Sequence, residues 1–344
     1  MKRISNISAS EREILFRNTA ERMGLPEAII EKDFWVCRTL DYLFCNSPWK
    51  EHLAFKGGTS LSKCFNLIHR FSEDIDLILD WRLVGCRLNE PWAERSRNQQ
   101  DKYNKAVNAR TEAFLAEHFV PNLEADFRKL LTDNFQITID SADPQTVCFA
   151  YPRLFSEGAI LSIIRLEIGA LAAWTPTQEI TITPFVAEQY PQVFEQPSTS
   201  LRTVSPERTF WEKVTILHKE AFRTNGKVPP RYSRHYYDLW CMAQSTVKEA
   251  ALEDLELLRQ VVAFKDRFYP AASAHYELAK PGTMRLMPPD DCLFDLRADY
   301  EHMKNMIYGE KPEFKEILSA LEKLENEINS LPEIRRTHGN DNCN

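Results

Sequence analysis

Several common sequence signatures are missing from this 344-residue chain. No run of about 18 apolar residues occurs, so no membrane-spanning helix is expected. The opening stretch MKRISNISASEREIL has no long apolar segment, which argues against a secretory signal. The eight cysteines are scattered, and none forms a C-x-x-C pair. That excludes a zinc ribbon or a thioredoxin motif and fits a reducing, cytoplasmic setting. The G-x-x-x-x-G-K-[ST] loop is absent, and the third glycine of a dinucleotide fingerprint is lacking. There is no overall basic excess, since the net charge is −7. Any contact with nucleic acid must therefore come from a local patch.

What is present supports a sizeable globular protein. The length suggests two domains of roughly 150 residues. Hydrophobic residues at 43% and aromatics at 11% suffice for their cores. The chain is organised around residues 53–80, LAFKGGTSLSKCFNLIHRFSEDIDLILD. This reads as a strand, a Gly57-Gly58 turn, a short helix and a second strand carrying Asp74 and Asp76. Residues i and i+2 of a strand share a face, which sets these carboxylates side by side, roughly 6–7 Å apart at Cβ. Two such groups repel unless a cation lies between them, and hard oxygens with room for water and phosphate suit Mg2+ or Mn2+. Gly57 and Gly58 allow close backbone approach, and the helix start at Thr59-Ser60 offers N–H groups and a hydroxyl to phosphate. Taken alone, an Asp-x-Asp or a Gly-Gly is commonplace. Their ordered combination points to a nucleoside triphosphate.

Along the rest of the chain, a first helix is expected near residues 8–23. A second, amphipathic helix over 27–45 carries Glu31-Lys32-Asp33, read as a solvated charged face. Residues 101–131 read as one or two helices inserted between core strands, with the basic run Arg95, Arg97, Lys102, Lys105 and Arg110 facing solvent. Four further strands are expected at 134–140, 147–152, 160–169 and 179–186. Residues 187–205 read as a linker, with the domain boundary at 195–196. Ser205-Pro206-Glu207 is a helix start, and from there the pattern is almost wholly helical to about 332, followed by a disordered tail. Phe210-Trp211-Glu212-Lys213 and Arg234-His235-Tyr236-Tyr237-Asp238 sit on two consecutive helices. If these pack antiparallel, Lys213 and Asp238 converge, either as an interhelical salt bridge or as a phosphate-binding charge with its partner. The basic residues of 202–235, interleaved with Trp211, Tyr232, Tyr236 and Tyr237, are the stretch best suited to an RNA backbone and a stacked base.

The string FKGGTSL…RFSEDIDL resembles the signature of the polymerase-beta-like nucleotidyltransferases, and within them the AbiEii/AbiGii toxin family, which includes the MenT-type toxins. Further strings of this family recur, among them EKDFW at 31–35, the Lys213 and Asp238 arrangement, GTMRL at 282–286 and DYEHM at 299–303. The resemblance implies an α+β fold: a nucleotidyltransferase domain with a small mixed sheet and flanking helices, then a helical C-terminal domain. It implies Asp74 and Asp76 as metal ligands, and Gly57, Gly58, Thr59, Ser60 and Lys63 as the nucleotide cradle. Lys213 and Asp238 then belong to the active site, with the nucleotide expected in a cleft between the domains. Glu167, in a strand beside the Asp-x-Asp strand, matches a third carboxylate, or else makes a cross-strand ion pair with Arg165. The expected activity is Mg2+-dependent (or Mn2+-dependent) transfer of a nucleotide to RNA, at the 3′ end of tRNA, as a phage-defence or toxin–antitoxin toxin with a cognate antitoxin. Lys265 and Arg285 are further charges within reach of a nucleotide or of structural partners. Two alternatives stay open: transfer to a protein side chain, and a nucleotide-binding regulator without turnover.

Overall fold

The structure is a computed structural model that describes residues 8–72, 74–156, 162–173 and 175–332. The expected disordered tail at 333–344 lies outside the described residues, as does the start of the strand expected from residue 160. The chain divides into two compact units, Met1–Ser205 and Pro206–Asn344.

The first unit is built on a mixed sheet of seven strands among the described residues. They are β1 Leu53–Lys56, β2 Asp74–Leu79, β3 Gln136–Ile139, β4 Thr146–Ala150, β5 Ile164–Gly169, β6 Thr177–Ile182 and β7 Thr199–Val204. Their order is β3-β4-β5-β2-β1-β7-β6. The interior strand β2 runs parallel to β5 and antiparallel to β1. Both its edges are paired, and on its faces Ile75 and Leu77–Leu79 are buried while Asp74 and Asp76, two residues apart, are half-buried on one face. β7 pairs with β1 and β6. The stretch read as a linker thus contains the end of a helix and a sheet strand, because its Thr199, Leu201 and Val204 are buried in that sheet.

Helices α1 Ala9–Met23 and α2 Glu27–Asp41 precede the sheet. Ser8 and Glu11 cap α1 reciprocally. The helix α3, Gly57–Lys63, joins β1 to the long segment leading into β2. It ends sooner than the spacing of Leu61, Phe65 and Ile68 suggests, and Asn66 turns the chain with a positive φ of 50°. Between β2 and β3, α4 Arg97–Phe114 and α5 Val120–Leu130 are joined by a π-helical turn at Leu115–Phe119. Their apolar side holds Val107, Leu115, Phe119, Leu123 and Phe127, all buried. A short helix, α6 Phe185–Gln189, follows β6.

The second unit is helical: α7 Pro206–Ala221, α8 Arg234–Met242, α9 Thr246–Glu253, α10 Leu255–Phe268, α11 Leu293–Met303 and α12 Phe314–Ser330. Phe210, Trp211, Tyr236, Tyr237 and Leu239 lie in its core. No helix among the described residues is long and apolar enough to cross a membrane.

Candidate active site

The Gly57 turn and the Asp74–Asp76 pair meet at one point. Gly57 has φ +83°, and a Cβ there would overlap the Asp76 carboxylate, with Asp76 Cγ only 2.5 Å away. Glycine is required twice over, by backbone conformation and by the space that Asp76 occupies. Gly58 is similarly overlaid: a Cβ there would lie 2.9 Å from both Arg70 Nη2 and Ser72 Oγ. Thr59 Oγ1 donates to the Asp74 carbonyl at 2.5 Å, tying the first turn of α3 to β2. Ser60 is fully buried and donates to the Gly57 carbonyl at 2.8 Å, so its hydroxyl closes the turn from within.

The register adds one neighbour that the sequence pattern does not mark, Lys56, and aligns two that it does. Lys56 lies opposite Asp76 across the antiparallel β1–β2 pair. Arg165 and Glu167 lie beside Asp74 and Asp76 across the parallel β2–β5 pair. Glu167 is exposed, at the place expected of a third carboxylate. Arg165 makes its ion pair with Asp140 at 2.6 Å. The hydrogen bond to Asp140 holds its guanidinium above the ordinary arginine range. Among the described residues no three His, Cys, Asp or Glu side chains gather into a metal-holding group. The residues that would hold a cation are the two half-buried carboxylates Asp74 and Asp76. That suits Mg2+, which takes one or two protein carboxylates and completes its shell with water and phosphate oxygens.

Two expectations change at Lys63 and at Glu31-Lys32-Asp33. Lys63 is directed away from the phosphate role: its ammonium is 2.7 Å from Asp33 Oδ1 and 3.7 Å from the centre of the Phe185 ring, with its side chain 9% exposed. Burial opposes its charge, but the Asp33 carboxylate outweighs that, and the ammonium is held above the ordinary lysine range. Glu31-Lys32-Asp33 is not a solvated face, because every residue from Ala28 to Asp41 of α2 is buried. Glu31 instead accepts the Leu154 and Phe155 N–H groups at 2.7 and 3.1 Å. Burial, only partly offset by those bonds, pushes its carboxyl up to about 7.

In the second unit Lys213 and Asp238 do converge, Nζ to Oδ2 at 2.7 Å. The same ammonium is 3.1 Å from His235 Nδ1. An ammonium can only donate, so His235 accepts through Nδ1 and carries its proton on Nε2. The surrounding helices are held by named bonds. Lys265 donates to the Glu212 carbonyl at 2.9 Å. Asp299 receives the Ser233 N–H and hydroxyl at 2.9 and 2.5 Å, which fixes the entry to α8. His218, buried among backbone groups, faces the His275 carbonyl and accepts the Arg285 N–H; burial keeps its pKa low. Of the four rings read as a base-stacking surface, three are not available for stacking, while Tyr232 is half-buried. Trp211, Tyr236 and Tyr237 are core residues, at most 1% exposed. Arg208 and Arg223 are paired with Glu212 and Glu220. Helical spacing put these aromatics on the inward faces of α7 and α8, which a linear reading of mixed charges and rings does not separate.

A family model described as the nucleotidyl transferase AbiEii toxin of type IV toxin–antitoxin systems matches residues 38–321. No match is found among curated proteins. Among solved structures, the chain is similar to MenT4, a nucleotidyltransferase toxin from Mycobacterium tuberculosis H37Rv, at 15% identity, 91% of this chain, 96% of that one and a TM-score of 0.42. It is also similar to JHP933 from Helicobacter pylori, at 15% identity, 88% and 97% coverage and a TM-score of 0.33.

Proposed function

We propose, because this chain belongs to the nucleotidyl transferase AbiEii toxin family of type IV toxin–antitoxin systems, that it transfers a nucleoside monophosphate from a triphosphate to RNA, at the 3′ end of tRNA, with Mg2+ or Mn2+. A cognate antitoxin encoded nearby would restrain it in the cell. The observation that carries the reading is the meeting of Gly57 with the Asp76 carboxylate. It brings backbone that can approach a triphosphate against the charge that would hold its metal.

Asp74 and Asp76 would hold the cation. When bound, it would supply positive charge against the charge that develops on the departing pyrophosphate. Gly57, Gly58 and Thr59 shape the turn that receives the β- and γ-phosphates, and Ser60 keeps that turn closed. Within the second unit, Lys213 is a positive charge of the kind that binds phosphate oxygens, held by Asp238 and His235. Glu167, exposed beside Asp76 on the neighbouring strand, accepts the proton of the attacking hydroxyl. The tRNA acceptor rests on the family resemblance.

The test is incubation with each of the four labelled ribonucleoside triphosphates, Mg2+ and purified tRNA, alongside a cell lysate. Label at the tRNA 3′ end is the expected result. Label confined to protein would sink the RNA acceptor, and binding without label would favour a regulator. Asp76→Ala should abolish labelling and growth inhibition together, and survival of both would remove the metal-site assignment.

A further inference from the structure

The helix α3 is seven residues long, Gly57–Lys63. A helix that short does not hold itself in water, so its place is set by tertiary ties. At its start Gly57 lies against Asp76, and Thr59 bonds to Asp74. At its end Lys63 reaches Asp33 on α2 at 2.7 Å. Asp33 uses both carboxylate oxygens, since Oδ2 accepts the Phe185 N–H at 2.7 Å. Phe185 returns to the same pair with its ring, 3.7 Å from the ammonium. Glu188, on α6 with Phe185, adds a second carboxylate that favours the charged lysine. The arrangement is closed, with side chains 9% and 6% exposed.

Stability alone does not account for choosing ions here. A buried ion pair costs so much to desolvate that an apolar pair of similar volume is often as stable. What an ion pair adds is a close contact between two placed charges, 2.7 Å here, that fixes where α3 ends. We propose that Asp33, acting through Lys63, is a positioning residue for the glycine turn that receives the nucleotide. This rests on the function proposed above and gives a role to the Glu31-Lys32-Asp33 string, which lies before the family match begins at residue 38.

The test uses the full chain. In the double variant Asp33→Asn, Lys63→Met both charges go, so global stability is expected to stay near wild type. The turn nevertheless loses its tie. KM for the triphosphate that wild type uses should rise about tenfold, with kcat within about twofold, since the loss is of ground-state placement. Backbone amides of 57–63 should exchange faster than in wild type without nucleotide, while those of 75–79 stay unchanged. Wild-type KM and exchange in the double variant would overturn the proposal, as would exchange rising equally throughout the sheet. The single variant Lys63→Met should match the double in exchange at 57–63. Should Asp76→Ala retain activity, the metal-site reading fails, and the exchange measurement still decides the role of Asp33.

Discussion

Two acidic pairs in the first unit have the same spacing and opposite fates. Glu31 and Asp33 are two residues apart on a helix, and Asp74 and Asp76 are two residues apart on a strand. A helix turns about 100° per residue, so the first pair diverges. Glu31 meets the Leu154 and Phe155 N–H groups, while Asp33 meets Lys63 and Phe185. A strand turns about 180° per residue, so the second pair projects together at a half-buried face. Divergent carboxylates each find their own donors and serve as fasteners. Convergent carboxylates on one strand face are suited to a cation. The same sequence spacing sets two carboxylates on one face only where the backbone has period two.

The largest effect that would break this comparison is at Asp76. Asp76→Asn should lower nucleotidyl transfer at least roughly a thousandfold, about 4 kcal/mol of transition-state stabilisation, with melting temperature little changed. A variant with near-normal turnover would put the strand pair in the same structural class as the helix pair. Asp33→Ala should behave in the opposite sense. It strands the buried Lys63 ammonium, and denaturant unfolding should show a loss of about 3–5 kcal/mol. A loss under about 1 kcal/mol would mean that the pair is not a fastener.

Gly57→Ala comes next. Its side chain must displace the Asp76 carboxylate and adopt a positive φ. Titration with Mg2+ should show weaker activation, and stability should fall by about 1–3 kcal/mol. Unchanged metal dependence would separate the turn from the carboxylate pair.

The smallest effect is the pH dependence of Glu31. Its carboxyl is raised from 4.5 to about 7 in the folded protein. The folded state therefore binds the proton more tightly than the unfolded chain between those values. Stability from this group is full below about pH 4.5 and is lost as pH rises through 7, at most about 3 kcal/mol. Glu31→Gln should flatten that decline in unfolding curves measured from pH 5 to 8. An unchanged slope would show that another group titrates there.

Much of the site near Asp74 was legible because it is local. Strand, glycine turn, helix and strand follow one another within 53–80, and short-range patterns govern each. The convergence of Lys213 with Asp238 was legible as a conditional, since it depended on how two helices pack. The burial of Glu31-Lys32-Asp33 was not legible. A charged tripeptide in an amphipathic helix is ordinarily solvated, and its partners Leu154, Phe155 and Phe185 are more than a hundred residues away. The strand at Thr199–Val204 was missed for a related reason. Its prolines and Ser-Thr-Ser neighbours read as linker, and only pairing with β1 and β6 makes it a strand.

The sequence by itself determined the layout at β2: the carboxylates at i and i+2, the glycines before them and the family they mark. Those features are set by the period of the backbone and by residue type, which need no distant partner. Tertiary structure alone decided which charges are spent on the fold. Lys63 went to Asp33 and the rings beside Lys213 went to the core, while Asp76 was left pressed against Gly57. That division depends on desolvation, and desolvation is a property of what lies across the fold.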